Sequence, residues 1–284
     1  MIAITGAAGY VGAQLCTELE RQGLEVRRLT RRPDPARGDA PFKLGEPVAA
    51  TSLSGVHTLI HAAYDFRPPR EAELRRLNVD GTRLLFDAAR QAGVRRVLFV
   101  SSIASFEESR SAYGRAKFTI EQDVKAAGWT SIRPGMVFGS QRGGLFASLD
   151  RVVRLLPVLP DLGNRTRLFL VHADDLFRVV QAWLTLVGRP APALIRAAHP
   201  QLFSMRGVLE VLAEAAGRRP VFLPVPTGAG LAVLRAFESI GLTLPFRSDS
   251  LMSMLHGNPD PGLSEEVLDV RLRPLNVATL RAEA

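Results

Sequence analysis

Apolar residues along this chain follow two alternating rhythms. Short stretches at 2–5, 24–29, 56–63, 96–100, 129–133, 168–172 and 194–198, most of them dominated by apolar residues, predict strands. Between them, apolar positions recur at helical spacing over 13–22, 71–91, 111–127, 145–156 and 176–186, and later over 204–216 and 228–240. In 71–91, Leu74, Leu77, Leu84, Leu85 and Ala88 share one side, which is expected to face a sheet. Residues 33–55, rich in Pro, Gly and Ala, predict loops with at most one short strand near Phe42-Lys43-Leu44. The tail from Leu242 reads as irregular and Pro-rich. Strands alternating with helices predict an α/β fold built on a doubly wound parallel sheet. Residues 1–139 and 166–200 are assigned to that sheet domain, and 140–165 with 201–284 to a smaller, mostly helical substrate lobe, with a cleft between.

Composition narrows the class. At 284 residues, with 46% apolar and 23% charged residues, the chain suits one large or two small globular domains. No apolar run has the length of a membrane span, and the first strand opens the chain. A cytoplasmic protein with no membrane partner and no signal peptide is therefore expected. The single cysteine, Cys16, excludes an internal disulfide and, beside Leu15 and Leu19, reads as core packing. The net charge of +8 is almost all arginine, since lysine occurs only at 43, 117 and 125. The arginines are scattered, as in Arg75-Arg76, Arg95-Arg96 and Arg218-Arg219, and no basic run is interleaved with aromatics. A solvated surface accounts for them better than nucleic-acid binding does. No His/Cys cluster has metal-ligand spacing, so no metal site is expected.

Three stretches carry chemistry. The first strand runs directly into Gly6-Ala7-Ala8-Gly9-Tyr10-Val11-Gly12 and then a helix, the layout that cradles a dinucleotide. Gly6 turns the chain off the strand, Gly9 lets backbone approach a pyrophosphate, and Gly12 lets the helix pack closely. The second strand ends in Thr30-Arg31-Arg32-Pro33 with no carboxylate before Asp34. An acidic residue there holds the ribose of NAD, whereas arginine accommodates the 2′-phosphate of NADP, so NADP(H) is preferred and NAD(H) is the alternative. Further on, His61 reads as a packed histidine, Ala62 and Ala63 leave room beside the sheet, and Asn78 is suited to bond sheet backbone near the cofactor. Asp174-Asp175 look like a paired-carboxylate site, but N-capping of the following helix is the simpler role.

The third stretch is the most informative. The strand 96–100 ends in Ser101-Ser102, and one loop later Tyr113 and Lys117 stand four apart on a helix, hence on one face. Composition alone yields such a Tyr-x3-Lys pair in roughly one chain in thirty. A phenol has a pKa of about 10, and a neighbouring ammonium draws it toward the working range. Ser102, beyond the carboxyl end of a strand, is aimed at the ligand side of such a sheet.

Together these residues resemble the short-chain dehydrogenase/reductases, in the extended or atypical branch that includes NAD(P)-dependent epimerases and dehydratases. The resemblance rests on Thr5 to Gly12, His61-Ala62-Ala63, Asn78-Val79-Asp80-Gly81-Thr82, Val100-Ser101-Ser102 and Tyr113-x3-Lys117. It continues through Arg133-Pro134-Gly135-Met136-Val137-Phe138-Gly139 and Val171 to Leu176, with the last third alike only in layout. It implies a Rossmann-type fold in which Tyr113 is the acid/base, Lys117 lowers its pKa and holds ribose, and Ser102 orients the substrate oxygen. The cofactor would meet Gly6, Ala8, Gly9, Tyr10, Val11, Gly12, Arg31, Arg32, His61, Ala62, Ala63 and Asn78, then Tyr113, Lys117, Pro134, Gly135 and Val137. Met136 stands where many nucleotide-sugar enzymes of the family carry Asn, which argues against a nucleotide-sugar substrate. A homodimer through the helices 71–91 and 111–127 is a family expectation.

The expected function is NADPH-dependent reduction of a carbonyl, or the reverse oxidation of an alcohol, on a small and fairly apolar metabolite. Phe106, Met136 and Phe138 are expected to line its pocket. Two alternatives stand beside it: a sugar epimerase or dehydratase, and a non-catalytic NADP-binding sensor or assembly protein.

Overall fold

The computed structural model describes residues 1–68, 70–139, 143–186, 188, 190–239 and 247–282. In chain order it begins β1 (Ile2–Thr5), α1 (Tyr10–Arg21), β2 (Val26–Thr30), β3 (Ala40–Pro41), β4 (Thr58–His61) and α2 (Glu71–Arg75). There follow a π turn (Arg76–Asp80), α3 (Gly81–Gln91), β5 (Arg96–Val100), α4 (Ala112–Ala126), β6 (Thr130–Pro134) and β7 (Met136–Phe138). Then come α5 (Gly144–Leu155), β8 (Val158–Asp161), β9 (Leu170–His172), α6 (Ala173–Thr185), β10 (Leu194–Ala197) and α7 (Met205–Ala215). The chain closes with β11 (Val221–Pro224), α8 (Thr227–Ser239), α9 (Ser248–Leu255), β12 (Glu266–Val267), β13 (Val270–Arg271) and α10 (Val277–Arg281).

Contacts divide the chain into two compact units, one made of 1–101, 116–133 and 186–195, the other of 102–115, 134–185 and 196–284. The first is built on a seven-stranded sheet ordered β10-β6-β5-β4-β1-β2-β3, parallel at each pairing from β3 through β6. Burial on both faces explains the apolar stretches: every residue of β1 and β4 is buried. The short strand expected near Phe42 forms two residues earlier as β3, paired to the end of β2.

The helix predicted over 71–91 forms, but not in one register. The π turn inserts an extra residue per turn and rotates everything after it. Leu85, Phe86 and Ala89 become the buried face, and Leu84, expected inward, is 41% exposed. Alongside, Arg83 bonds Asp123 at 2.8 Å, holding α3 against α4.

The second unit holds the parallel pairs β7–β9 and β8–β11 and an apolar cluster that includes Phe138, Phe146, Leu159, Leu170, Leu209 and Met254. The tail differs from expectation. From Arg247 it carries α9, the β12–β13 hairpin and α10, while Leu242 lies outside the described residues. In α9 only Leu251 and Met254 are buried, too sparse a pattern among polar neighbours to register as periodic. Asp174 and Asp175 also sit differently: they lie in the first turn of α6 rather than before it. Asp175 is fully buried and binds the Arg273 backbone N–H at 2.7 Å, the Arg273 Nε at 3.0 Å and the Arg178 guanidinium, fastening the tail to α6. Burial opposes its charge, but the two arginines prevail and hold the carboxyl below the usual carboxylate range.

Candidate functional site

In the first unit the glycine turn is dictated by space. Gly6 has φ +68°, and a Cβ there would lie 2.8 Å from the Ala62 carbonyl carbon and the Ala63 nitrogen. A Cβ on Gly12 would lie 2.2 Å from the Gly6 carbonyl oxygen. The turn is thus pressed against both the end of β4 and the helix it launches. Ala8 and Gly9 are exposed, α1 starts with no side-chain cap, and its first turn carries no acid. An uncapped helix start with bare backbone before it fits the pyrophosphate of a dinucleotide.

His61 closes this region from behind. Thr5 Oγ1 accepts the N–H groups of Ala62 and Ala63, both at 3.2 Å, so its hydrogen goes to His61 Nδ1 at 2.6 Å. That fixes the neutral Nε2–H tautomer, which donates to Thr82 Oγ1 at 2.9 Å. The imidazole is 0% exposed, and burial, with Lys117 adding, holds its pKa down at about 3. The packed-histidine reading is right, and His61 leaves the set of side chains open to a cofactor.

Asn78 is corrected similarly. Its amide is spent on the backbone of Asp65 and Leu74, at 2.8 and 2.9 Å. It therefore shapes the loop after β4 rather than bonding a strand. The π turn is what rotates Asn78 toward that loop.

Arg31 and Arg32 are exposed at the end of β2. Asp65, bonded by Arg67 at 2.5 Å, has its carboxyl held below the usual range by that bond, with the charge of Arg31 adding to the effect. Cys16 is buried in α1 and its thiol is pushed up to about 12, as a packing residue should be.

Lys117 is a buried cation of the first unit, 3% exposed. Its Nζ donates to the Val100 carbonyl at 2.6 Å and lies over the rings of Phe99 and Tyr64 at 4.6 and 4.9 Å. Burial lowers its pKa to about 7, partly opposed by Glu121. Glu121, one turn on, is committed to a buried pair with Arg133 at 2.6 Å.

In the second unit, Ser102 is half-buried and its Oγ accepts the Ala104 N–H at 3.2 Å, which leaves its hydrogen to give elsewhere. Tyr113 is half-buried in the first turn of α4. That turn is capped completely by protein. Ser111 Oγ accepts the Gly114 N–H at 2.9 Å, and Asp249 accepts those of Ala112 and Tyr113 at 2.7 and 3.1 Å. Gly114 must be glycine, because a Cβ would lie 2.1 Å from Ser109 Oγ and 2.3 Å from the Ala104 oxygen. Asp249 is a positioning residue that sequence reasoning missed: it acts across 136 residues and belongs to no motif.

Pro134 and Gly135 are buried, and a Cβ on Gly135 would lie 2.5 Å from the Phe169 oxygen. Val137 is half-buried in β7, in register with Val171. Phe138 is corrected: it is fully buried against Phe146 and His172 and lines no pocket. Met136 packs on the same apolar cluster.

Known proteins place these features. The profile of the family described as "NAD dependent epimerase/dehydratase family" matches residues 2–188. The chain is 35% identical to the ceramide reductase of Caulobacter vibrioides over 192 residues, 62% of this chain and 58% of that one. It is 34% identical to a 3-beta-hydroxysteroid dehydrogenase of Mycolicibacterium neoaurum over 116 residues, 36% of this chain and 31% of that one. The match thus spans less than two thirds of either relative. Among solved structures, the UDP-glucose 4-epimerase of Thermus thermophilus in complex with NAD superposes with a TM-score of 0.63 at 23% identity, covering 79% of this chain and 86% of that one. The doubly wound fold and the extended-branch resemblance are borne out, and the chain belongs to the NAD dependent epimerase/dehydratase family.

Proposed function

We propose that the chain is an NADPH-dependent reductase acting on a carbonyl of an apolar small molecule, run in reverse as an alcohol oxidation. One observation carries it. The buried Lys117 amine is bonded to the Val100 carbonyl, so the helix bearing Tyr113 is pinned to the strand that leads, two residues later, to Ser102. A binding module has no need of an amine held at that energetic expense.

When bound, the nicotinamide would supply the hydride. The Ser102 hydroxyl donates to the substrate oxygen, and Tyr113 gives that oxygen its proton as the alcohol forms. Lys117, as the ammonium, favours the phenolate left behind and holds ribose hydroxyls. Exposed Arg31 and Arg32 support NADP over NAD, since a 2′-phosphate would meet cations at the end of β2, where no carboxylate comes before Asp34. The ceramide and hydroxysteroid in the names of the two relatives support an apolar substrate, and an apolar Met136 rather than an amide argues against a nucleotide sugar.

The test is NADPH oxidation against long-chain and steroid ketones, with Tyr113→Phe beside the wild type. Turnover should fall by about a thousandfold in the variant while NADPH affinity stays within about twofold. Retained turnover in Tyr113→Phe defeats the mechanism. Interconversion of a sugar nucleotide with no net NADPH oxidation establishes the epimerase reading instead.

A further inference from the structure

The β8–β11 pair turns an apolar face to solvent. Val158 and Val221 are register partners, as are Pro160 and Leu223, and all four are exposed while Leu159 between them is buried in the core. A sheet with one face on a core ordinarily shows polar residues on the other. Leu155, 68% exposed, and Leu156 extend the face toward α5. On its other flank is α8, where a Cβ on Gly230 would lie 3.6 Å from Leu162, 3.9 Å from Leu251 and 4.0 Å from Val225, and where Val233 and Phe237 are exposed.

The charge around this face is mainly positive: the carboxylates on its own elements, Asp150, Asp161 and Glu238, are each paired with an arginine, Arg154, Arg206 and Arg247. Residues 151–160 contain Arg151 and Arg154 and no carboxylate; 215–237 contain Arg218, Arg219 and Arg235 and no carboxylate. All five arginines are exposed, and Arg154 alone is bonded to an acid, Asp150. An apolar face rimmed by an excess of cations matches the boundary of an anionic lipid layer, where side chains enter the acyl region and guanidinium groups meet phosphates. A second copy of the chain would bring the same five arginines against these, a like-charge juxtaposition that opposes pairing.

We infer that the chain docks on anionic phospholipid surfaces through the β8–β11 face and α8. The expectation of no membrane partner rested on the length of apolar runs. Among the described residues no helix is long and apolar enough to cross a membrane, but lying on one requires no such helix. The inference uses none of Ser102, Tyr113 and Lys117, so it stands or falls apart from the proposed reaction.

Flotation of the full chain with vesicles tests it. Vesicles of phosphatidylcholine with about one-third phosphatidylglycerol should bind at least tenfold better than phosphatidylcholine alone, and binding should drop about tenfold between roughly 0.05 and 0.5 M salt. Val221→Asp with Leu223→Asp, and separately Arg218→Glu with Arg219→Glu, should each weaken binding about tenfold with Tm unchanged. Three results overturn the inference: no binding to anionic vesicles, equal binding by wild type and both variants, or a lipid-free dimer that the aspartate variant abolishes.

Discussion

The two compact units both tie buried polar groups to fixed partners, as Asp175 is tied to Arg273 in the second, but they differ in the apolar groups they show to solvent. In the first, four sets of buried polar side chains are tied to fixed partners: Thr5 to His61 to Thr82, Asn78 to Asp65, Lys117 to Val100, Arg133 to Glu121. In the second, apolar side chains face water, and it holds eight of the eleven exposed large hydrophobics among the described residues. A buried polar bond fixes atoms to a fraction of an ångström, because leaving either partner unpaired is costly. An exposed apolar side chain fixes nothing inside the chain and points to an encounter with something outside it. The second unit therefore adds a surface suited to contact to internal bonding of the kind seen in the first.

A single methyl group probes this contrast most sharply. Gly12→Ala puts a carbon 2.2 Å from the Gly6 oxygen, whereas Gly228→Ala in α8 meets nothing within 4 Å. The first change should weaken NADPH binding by about a hundredfold or prevent folding; the second should shift stability by less than about 0.5 kcal/mol. Calorimetry and an NADPH titration on both variants check the pair, and equal effects would erase the distinction.

Acid should separate the units next. His61 is neutral when folded and titrates near its ordinary value when unfolded, so falling pH favours the unfolded chain from about 6.5 down toward 3. Between pH 7 and pH 4 that linkage removes about 3 kcal/mol. Lys117 has the same sign higher up, its burial cost easing as pH rises above about 7. In the second unit the lowered carboxyl of Asp175 keeps its contribution until pH falls below the ordinary carboxylate range. Amide exchange, corrected for intrinsic rate, should show β1 and β4 loosening at pH 5 before α6 does, and His61→Asn should remove the lag.

Asp249→Ala strips two N–H caps from the helix carrying Tyr113 and is expected to cost about 1 kcal/mol and about tenfold in kcat. NADPH affinity should hold within about twofold, and Asp249→Asn should recover most of the rate. Unchanged kcat in the alanine variant would dismiss Asp249 as a positioning residue. Smallest of all, Arg31→Glu should lower the preference for NADPH over NADH about tenfold, read from the two KM values.

Much of the first unit was legible because its demands are local. A turn squeezed between strand and helix requires glycine within a seven-residue window, and a lysine must follow its tyrosine by one helical turn. Strands buried on both faces cannot conceal their composition. What stayed hidden acts over distance or through a phase change. Asp249 bonds groups 136 residues away, and Asp175 clasps Arg273 from 98 residues away, so neither leaves a spacing to find. Phe138 carries the same apolar code in a core as in a pocket, and only packing tells the two apart.

The surplus residue of the π turn at Arg76–Asp80 works like a tooth on a gear. Delete one position there and α3 rotates by about 100° as a regular helix, carrying Thr82 off the His61 imidazole and swinging Leu84 beneath the sheet. The shortened chain would preserve its glycines, its Tyr113 and its Lys117, yet would meet the coenzyme with a displaced loop and a histidine robbed of its acceptor. Identity at the motif residues therefore says little about fitness unless the residue count between His61 and Thr82 is kept as well.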